Sequence, residues 1–307
     1  MKKQHAYAYI GLGHLGGALA ACLVREGFEV HVYDRDPALM DHLKKIGAKP
    51  ANSPAAAARA AGNAITCLPS PTVSEAVLTG KGGILEGLPK GGTWIEMSTN
   101  GREEIIRLSK LAAAKGVKTL ECPVTGGVHL AKVGQITALV GGDKALYEAH
   151  HAAISAMTGK SFLMGPIGSA AVIKVITNML AFIHLVAAGE AMMLAKKGGL
   201  DLAQSYHAIV ASSGNSFVHE TETQVILNGS YDIAFTMDLA LKDLGFAMQM
   251  GKEGGVPLAL ASMVNQIFIQ GKSEFGGDAW SSKIVKLLED ATGTDLRAPG
   301  FPAKLEA

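Results

Sequence analysis

Residues 6–36 read AYAYIGLGHLGGALAACLVREGFEVHVYDRD, and the rest of the fold follows from this stretch. Ala6–Ile10 alternates small and larger residues as a short strand does, Leu15–Glu26 carries a helical pattern, and Glu29–Tyr33 reads as a second strand. Between the first strand and the helix stands Gly11-Leu12-Gly13-His14-Leu15-Gly16, a GxGxxG sequence in the setting that gives the motif meaning. Gly11 permits a tight turn, Gly13 lets the backbone approach a pyrophosphate, and Gly16 lets helix and strand pack closely. The N–H groups that open the helix then face the phosphates. Asp34 follows Gly11 by 23 residues, at the end of the second strand. A carboxylate there accepts from a ribose 2′-hydroxyl and repels the extra phosphate of NADP, so NAD is the expected cofactor, while Arg35 beside it leaves NADP open. His14 reads as a solvent-facing filler or a neighbour of the phosphates. A methyltransferase also combines a Gly-rich first loop with an acidic second strand; the strict spacing and the helical second half argue against it.

Outward from this unit, short apolar runs alternate with helical patterns up to about residue 164. The further strand candidates are Ala64–Leu68, Thr93–Met97, Val117–Glu121, Thr137–Val140 and Ser161–Met164, with helices at Ala38–Ile46, Pro54–Ala61 and Arg102–Lys115 between them. That alternation is the mark of βαβ units. After Gly165 the pattern becomes helix upon helix. Gly198-Gly199 ends a long first helix, Asp201 can cap the next, and Gly254-Gly255 before Pro257 separates two later ones. The expected fold class is α/β: a Rossmann-type, mostly parallel sheet in residues 1–164, joined by a long helix to an all-α domain in residues 165–307. The last dozen residues, with Pro299, Gly300 and Pro302, read as a loose tail.

Composition narrows the function. Lys plus Arg number 28 and Asp plus Glu 27, a formal charge of +1, which excludes a basic nucleic-acid surface as the main theme. The 37 glycines, about 12% against a usual ~7%, imply many tight turns. Cys22, Cys67 and Cys122 are odd in number and far apart, which fits neither a disulfide framework nor a CxxC site and points to a reducing, cytoplasmic setting. Lys2 and Lys3 before an apolar stretch ending Ala18-Leu19-Ala20 imitate a signal peptide, but five residues of that stretch, Gly11, Gly13, His14, Gly16 and Gly17, break it. The apolar segment from Ala170 to Ala195 contains Lys174, Asn178, His184 and Glu190 and reads as a buried soluble helix with no membrane role.

A second constellation begins at Glu121-Cys122-Pro123-Val124-Thr125-Gly126-Gly127. Two glycines after a hydroxyl, at the end of a strand, suit a small anion such as a carboxylate, or equally a plain turn. Farther on, Lys174 and Asn178 are spaced i, i+4 and share one face of an otherwise aliphatic helix. A lysine among Ala171, Val172, Ile173 and Val175 either snorkels to water or has a task. Other ionisable groups read more plainly: His150-His151 as an exposed helical pair, and His219, Glu220 and Glu222 as a polar surface. No metal site is expected.

These motifs together resemble the β-hydroxyacid dehydrogenases, over essentially the whole chain. GLGHLGGALAACL from Gly11 looks like the family's cofactor loop and PVTGGVHLAKVGQITALVGG from Pro123 like its substrate segment. The stretch ending Lys174-Val175-Ile176-Thr177-Asn178 looks like its catalytic helix, and Lys242-Asp243-Leu244 is similar to its second cofactor-contacting motif. The resemblance implies that Lys174 is the catalytic lysine, that Asn178 orients the substrate, and that Thr125, Gly126 and Gly127 hold its carboxylate. It implies cofactor contacts for Lys242, for Thr99 near the nicotinamide, and for Leu68-Pro69 as a wall. Thr125 stands where Ser is common, Asn100-Gly101 replaces an apolar residue followed by a Pro-containing sequence, and Phe217 occupies a position often held by Trp. The implied activity is hydride transfer between NAD(H) and a small 3-hydroxy acid or its semialdehyde, in a homodimer or homotetramer with no nucleic-acid partner. An imine reductase of the same fold and a silent NAD-binding sensor are the rival readings; Lys174 argues against the first, and its company with Asn178 and the carboxylate loop against the second.

Overall fold

The computed structural model describes residues 5–306. Among these, the strands are β1 Tyr7–Ile10, β2 Val30–Tyr33, β3 Lys49–Pro50, β4 Asn63–Thr66, β5 Thr93–Glu96, β6 Lys118–Glu121, β7 Val124–Thr125, β8 Ile136–Gly141 and β9 Thr158–Gly165. They form one sheet in the order β3-β2-β1-β4-β5-β6-β8-β7, with β9 also on β8. Strands β1 to β6 are mutually parallel in the 3-2-1-4-5-6 order of a dinucleotide-binding sheet. β8 runs antiparallel to β6 and β7, and β9 parallel to β8, so the far edge of a mostly parallel sheet is reversed. The seven strands read from sequence are present; β3 and β7, two residues each, are too short to display an alternating pattern.

The chain forms two compact units, one reaching Lys174 and the other running from Val175 to Glu306. In the first, helices cover both sheet faces, which explains why the central strand is apolar throughout. Tyr7 and Tyr9 of β1 pack on one side with Leu19, Leu23 and Ile154. Ala8 and Ile10 pack on the other with Trp94, Ile105 and Leu108. The apolar stretch that imitates a leader is thus a central strand and the buried face of helix His14–Arg25. His150 lies on the inner side of helix Lys144–Met157, 3% exposed, which corrects the expectation of an exposed pair. Only His151 faces out, because neighbours on a helix point about 100° apart. The His150 ring joins Tyr7 Oη (2.8 Å) and Thr93 Oγ1 (2.9 Å), and burial pushes it down to about 4.

The second unit is all helical and packs Phe182, Leu185, Met192, Met237, Leu244 and Phe268 into one core. Its opening helix continues Ser169–Lys197 from the first unit. The reading of that helix as buried holds for one side only: Phe182 and Met192 are inside, while Leu180 and Leu194 are 43% and 74% exposed. By length and composition it is apolar enough to cross a membrane, but its exposed side also carries His184 and Glu190. Asp201 caps helix Leu202–Val210 by accepting from Gln204 N at 2.8 Å, as its position suggests. The tail is tied down, contrary to expectation. Leu296 is fully buried, Ala298 N donates to Leu227 O, and the carbonyls of Phe301 and Ala303 accept from Asn228 and Ser230. His219 is also interior, 2% exposed between Tyr206 O and Thr223 Oγ1, while Glu220 of that trio is exposed and Glu222 half-buried. The Glu222 carboxyl has one oxygen shielded from water and without a partner, and burial raises it to about 8.

Candidate active site

The first unit gathers its candidate residues at the carboxyl ends of parallel strands, where open α/β sheets bind ligands. Gly11 follows β1 with φ +91°, and a Cβ there would meet Cys67 O at 2.3 Å, so the turn requires glycine. A Cβ on Gly16 would sit 2.1 Å from Gly11 O, which is the close packing of helix on strand. A Cβ on Gly13 would meet nothing within 4 Å, so the backbone is bare on that side. Helix His14–Arg25 has no side-chain cap at its start, which leaves that end to an anion. Asp34 closes the loop, its Oδ2 accepting from Leu12 N at 2.7 Å and its Oδ1 from Asp36 N at 2.9 Å. His14 and Arg35 are exposed beside it, and Leu15 is half-buried. These residues fit a dinucleotide, with the pyrophosphate against Gly13 and a ribose at Asp34.

The neighbouring strand ends are tied to one another. Leu68 N donates to Ser98 Oγ at 2.7 Å, and Ser98 N donates to Glu96 Oε1 at 2.7 Å. Glu96 is buried at the end of β5, and burial pushes its carboxyl above the usual range. This network fixes the Leu68-Pro69 wall against the Ser98-Thr99 turn. Sequence reasoning assigned Leu68, Pro69 and Thr99 but missed Glu96 and Ser98. Asn100, 3% exposed, keeps Oδ1 without a protein partner at this rim.

Beyond β6, the chain passes through Thr125 to Gly126 and Gly127, both left-handed at φ +125° and +92°. A Cβ on Gly127 would meet the His129 ring at 2.9 Å. The loop is therefore a compact glycine turn, with Thr125 half-buried just before it. From the same β6 end, the buried Glu121 carboxylate reaches the start of the long helix and accepts from Gly168 N (2.6 Å), Ala170 N (2.9 Å) and Ala171 N (3.1 Å). Lys174 follows less than one turn later, 7% exposed. Most of the lysine side chain is therefore covered.

In the second unit, Asn178 is 8% exposed and its Nδ2 donates to Asp243 Oδ2 at 2.5 Å. Asp243 is itself 1% exposed and pairs with Lys242 Nζ at 3.1 Å through its other oxygen. One carboxylate thus holds both the asparagine amide and the lysine of the Lys242-Asp243-Leu244 motif. Asp243 was read as part of a motif and given no role of its own. Phe217 opens helix Phe217–Asn228, 53% exposed. Among the described residues no cluster of three or more His, Cys, Asp or Glu has the arrangement of a metal site.

A Rossmann sheet with a bare glycine loop and an aspartate at the end of its second strand, followed by a helix carrying a buried lysine, has the features of a dinucleotide-dependent oxidoreductase. Residues 6–165 match the NAD-binding domain of 6-phosphogluconate dehydrogenase, and residues 168–288 the NAD-binding domain of NADP-dependent 3-hydroxyisobutyrate dehydrogenase. The 2-(hydroxymethyl)glutarate dehydrogenase of Eubacterium barkeri is 31% identical over 297 residues, covering 96% of this chain and 99% of that one. The structure of Mycobacterium tuberculosis 3-hydroxyisobutyrate dehydrogenase with L-serine superposes with a TM-score of 0.83 at 27% identity, covering 93% of this chain and 99% of that one. A Streptomyces aurantiacus imine reductase shares the fold more distantly, at a TM-score of 0.60 and 24% identity over 90% or more of both chains (92% and 99%). The chain belongs to the β-hydroxyacid dehydrogenase family and is an oxidoreductase with an NAD(P)-binding Rossmann unit.

Proposed function

We propose that the protein transfers hydride between NAD(H) and a small 3-hydroxy acid or its semialdehyde, with Lys174 as general acid and base. The observation that carries this reading is the buried lysine with Asn178 one turn further along the same helix, its amide held by a buried aspartate. The bound dinucleotide supplies or accepts the hydride. In reduction, the Lys174 ammonium polarises the carbonyl oxygen and donates its proton to it; in oxidation, the neutral amine takes the hydroxyl proton. Thr125, Gly126 and Gly127 hold the substrate carboxylate through backbone amides and a hydroxyl. Asn178, its orientation fixed by Asp243, aligns the hydroxyl or carbonyl, and Lys242, held by the same aspartate, contributes to cofactor binding with Thr99, Leu68 and Pro69. Asp34 supports NAD over NADP because its carboxylate would meet the additional phosphate.

The physiological unit is proposed to be a homodimer or homotetramer in the cytoplasm. Leu180, Ala187, Ala191 and Leu194 recur on the exposed side of the long helix, and Leu260 and Met263 are 57% and 64% exposed on helix Ala259–Phe275. Apolar side chains of that kind, interspersed on the long helix with His184 and Glu190, suit a second copy better than water. The odd number and wide spacing of Cys22, Cys67 and Cys122 suit a reducing compartment.

The direct test follows NADH and NADPH oxidation over a panel of C2–C5 semialdehydes, 2-oxo acids and cyclic imines. Turnover of a carboxylate-bearing semialdehyde with NADH supports the reading. Turnover of imines alone, or tight NADH binding with no turnover, would replace it with the imine reductase or the sensor.

A further inference from the structure

We propose that Glu121 is a positioning residue: it caps the helix that bears Lys174 from a neighbouring strand and so fixes the lysine relative to the Thr125-Gly126-Gly127 loop. This rests on the reading of Lys174 given above. The accounting of backbone donors at the start of the helix is complete. Ser169 N donates to Pro166 O and Val172 N to Gly168 O, while Ala170 N and Ala171 N each donate to an oxygen of Glu121. Gly168 N, just before the helix, donates to the same carboxylate at 2.6 Å. Gly168 stands at φ +98° where Ser, Thr, Asp or Asn would normally act as a local cap.

A local cap would finish the helix without attaching it to the sheet. Glu121 does both, since it is the last residue of β6 and the chain continues from it directly through Pro123 and Val124 into the carboxylate loop. The side chain has been given room for this: a Cβ on Gly141, its cross-strand partner, would come within 2.1 Å of Glu121 Oε1. A carboxyl that is 1% exposed is unfavourable to bury, and burial holds it above the usual carboxylate range; three amide donors together with the positive end of a 29-residue helix offset part of that penalty. The result is a rigid linkage between the group that would take the substrate's carboxylate and the group that would move its proton. Such linkage matters because misplacement of a reacting group by about 1 Å can cost ~10²-fold in rate.

Two variants test this, assayed with the substrate of the semialdehyde panel that turns over fastest. Glu121→Gln keeps the volume but offers an NH₂ where the helix needs an acceptor. Gly141→Ala leaves Glu121 intact and displaces its carboxylate. Both are expected to lower kcat by about 10–10²-fold with NADH affinity within about twofold of the parent. Both are also expected to raise hydrogen exchange at Gly168, Ala170 and Ala171 by about tenfold or more, a readout that needs no turnover. In a Lys174→Ala background, adding Glu121→Gln should change the residual rate by less than about twofold, because the glutamate acts through the lysine. Parental kcat in a folded Glu121→Gln, or an undiminished further loss in the Lys174→Ala background, overturns the proposal. If Glu121→Gln does not fold, Gly141→Ala decides by the same criteria. A Lys174→Ala single variant that turns over normally refutes the role of Lys174 itself, and that failure is seen separately from any result at Glu121.

Discussion

Gly13 and Gly16 stand three residues apart in one motif, yet they lie in opposite surroundings, one open and one tightly packed, and alanine at each position separates the binding role proposed for the first from the packing role of the second. Gly13 has φ −59° and ψ −171°, which alanine adopts freely, and its new methyl would meet no protein atom within 4 Å. Stability should therefore stay within about 0.5 kcal/mol, or rise slightly as the unfolded chain loses freedom. The methyl would instead occupy the space assigned to the pyrophosphate. Crowding of this order costs about 1–3 kcal/mol, a weakening of NADH binding of roughly 5–150-fold. At Gly16 the methyl would lie 2.1 Å from Gly11 O and 3.2 Å from Cys67 Cβ, both inside the fold. Relief requires the helix to move off the strand, with about 2–3 kcal/mol of stability and several degrees of Tm lost. NADH fluorescence titration and thermal unfolding of both variants measure the two effects. If Gly13→Ala lowers Tm as much as Gly16→Ala, or binds NADH as tightly as the parent, the assignment of the loop is wrong.

Other consequences are equally direct. Asp34→Ser should narrow the preference for NADH over NADPH by about tenfold or more, since it removes the carboxylate that repels the extra phosphate; steady-state kcat/KM with each cofactor reads this, and an unchanged ratio would contradict it. His150 is held near 4 against an unfolded value near 6.5, so its contribution is complete above pH 6.5 and is lost as pH falls toward 4. Urea titrations should show about 3 kcal/mol of acid destabilisation over that window that is missing in His150→Gln. Glu222 has the reverse sign. Raised to about 8, it favours the folded state below about pH 4.5 and withdraws that stability as pH climbs to 8. Glu222→Gln should flatten this limb, which amounts to on the order of 3–5 kcal/mol, and a parental pH dependence in the variant would refute the burial of that carboxyl.

The first half of the chain was legible because local patterns and the fold agree. Gly11, Gly13, Gly16 and Asp34 lie within one βαβ unit, so their spacing alone encodes their meeting. Single residues were misread where the partner is remote. His150 is paired with Tyr7 and Thr93, which come to it through the sheet order and not through any local pattern. Glu121 binds amides 47 to 50 residues away, and Asn178 an aspartate 65 residues away, so neither contact leaves a periodic signal. The tail was misjudged for a related reason: Pro299, Gly300 and Pro302 suggest freedom, whereas Leu296 is anchored in the core of the helical unit. The long helix was read as buried from composition, but composition does not say which side of a helix finds a partner.

The central claim is that the amine of Lys174 carries the proton in hydride transfer. Pre-steady-state and steady-state kinetics of Lys174→Ala, alongside NADH titration of the same protein, test it most directly. The account predicts a fall in kcat of at least about 10²–10⁴-fold with NADH affinity essentially unchanged. Turnover close to that of the parent enzyme would contradict it.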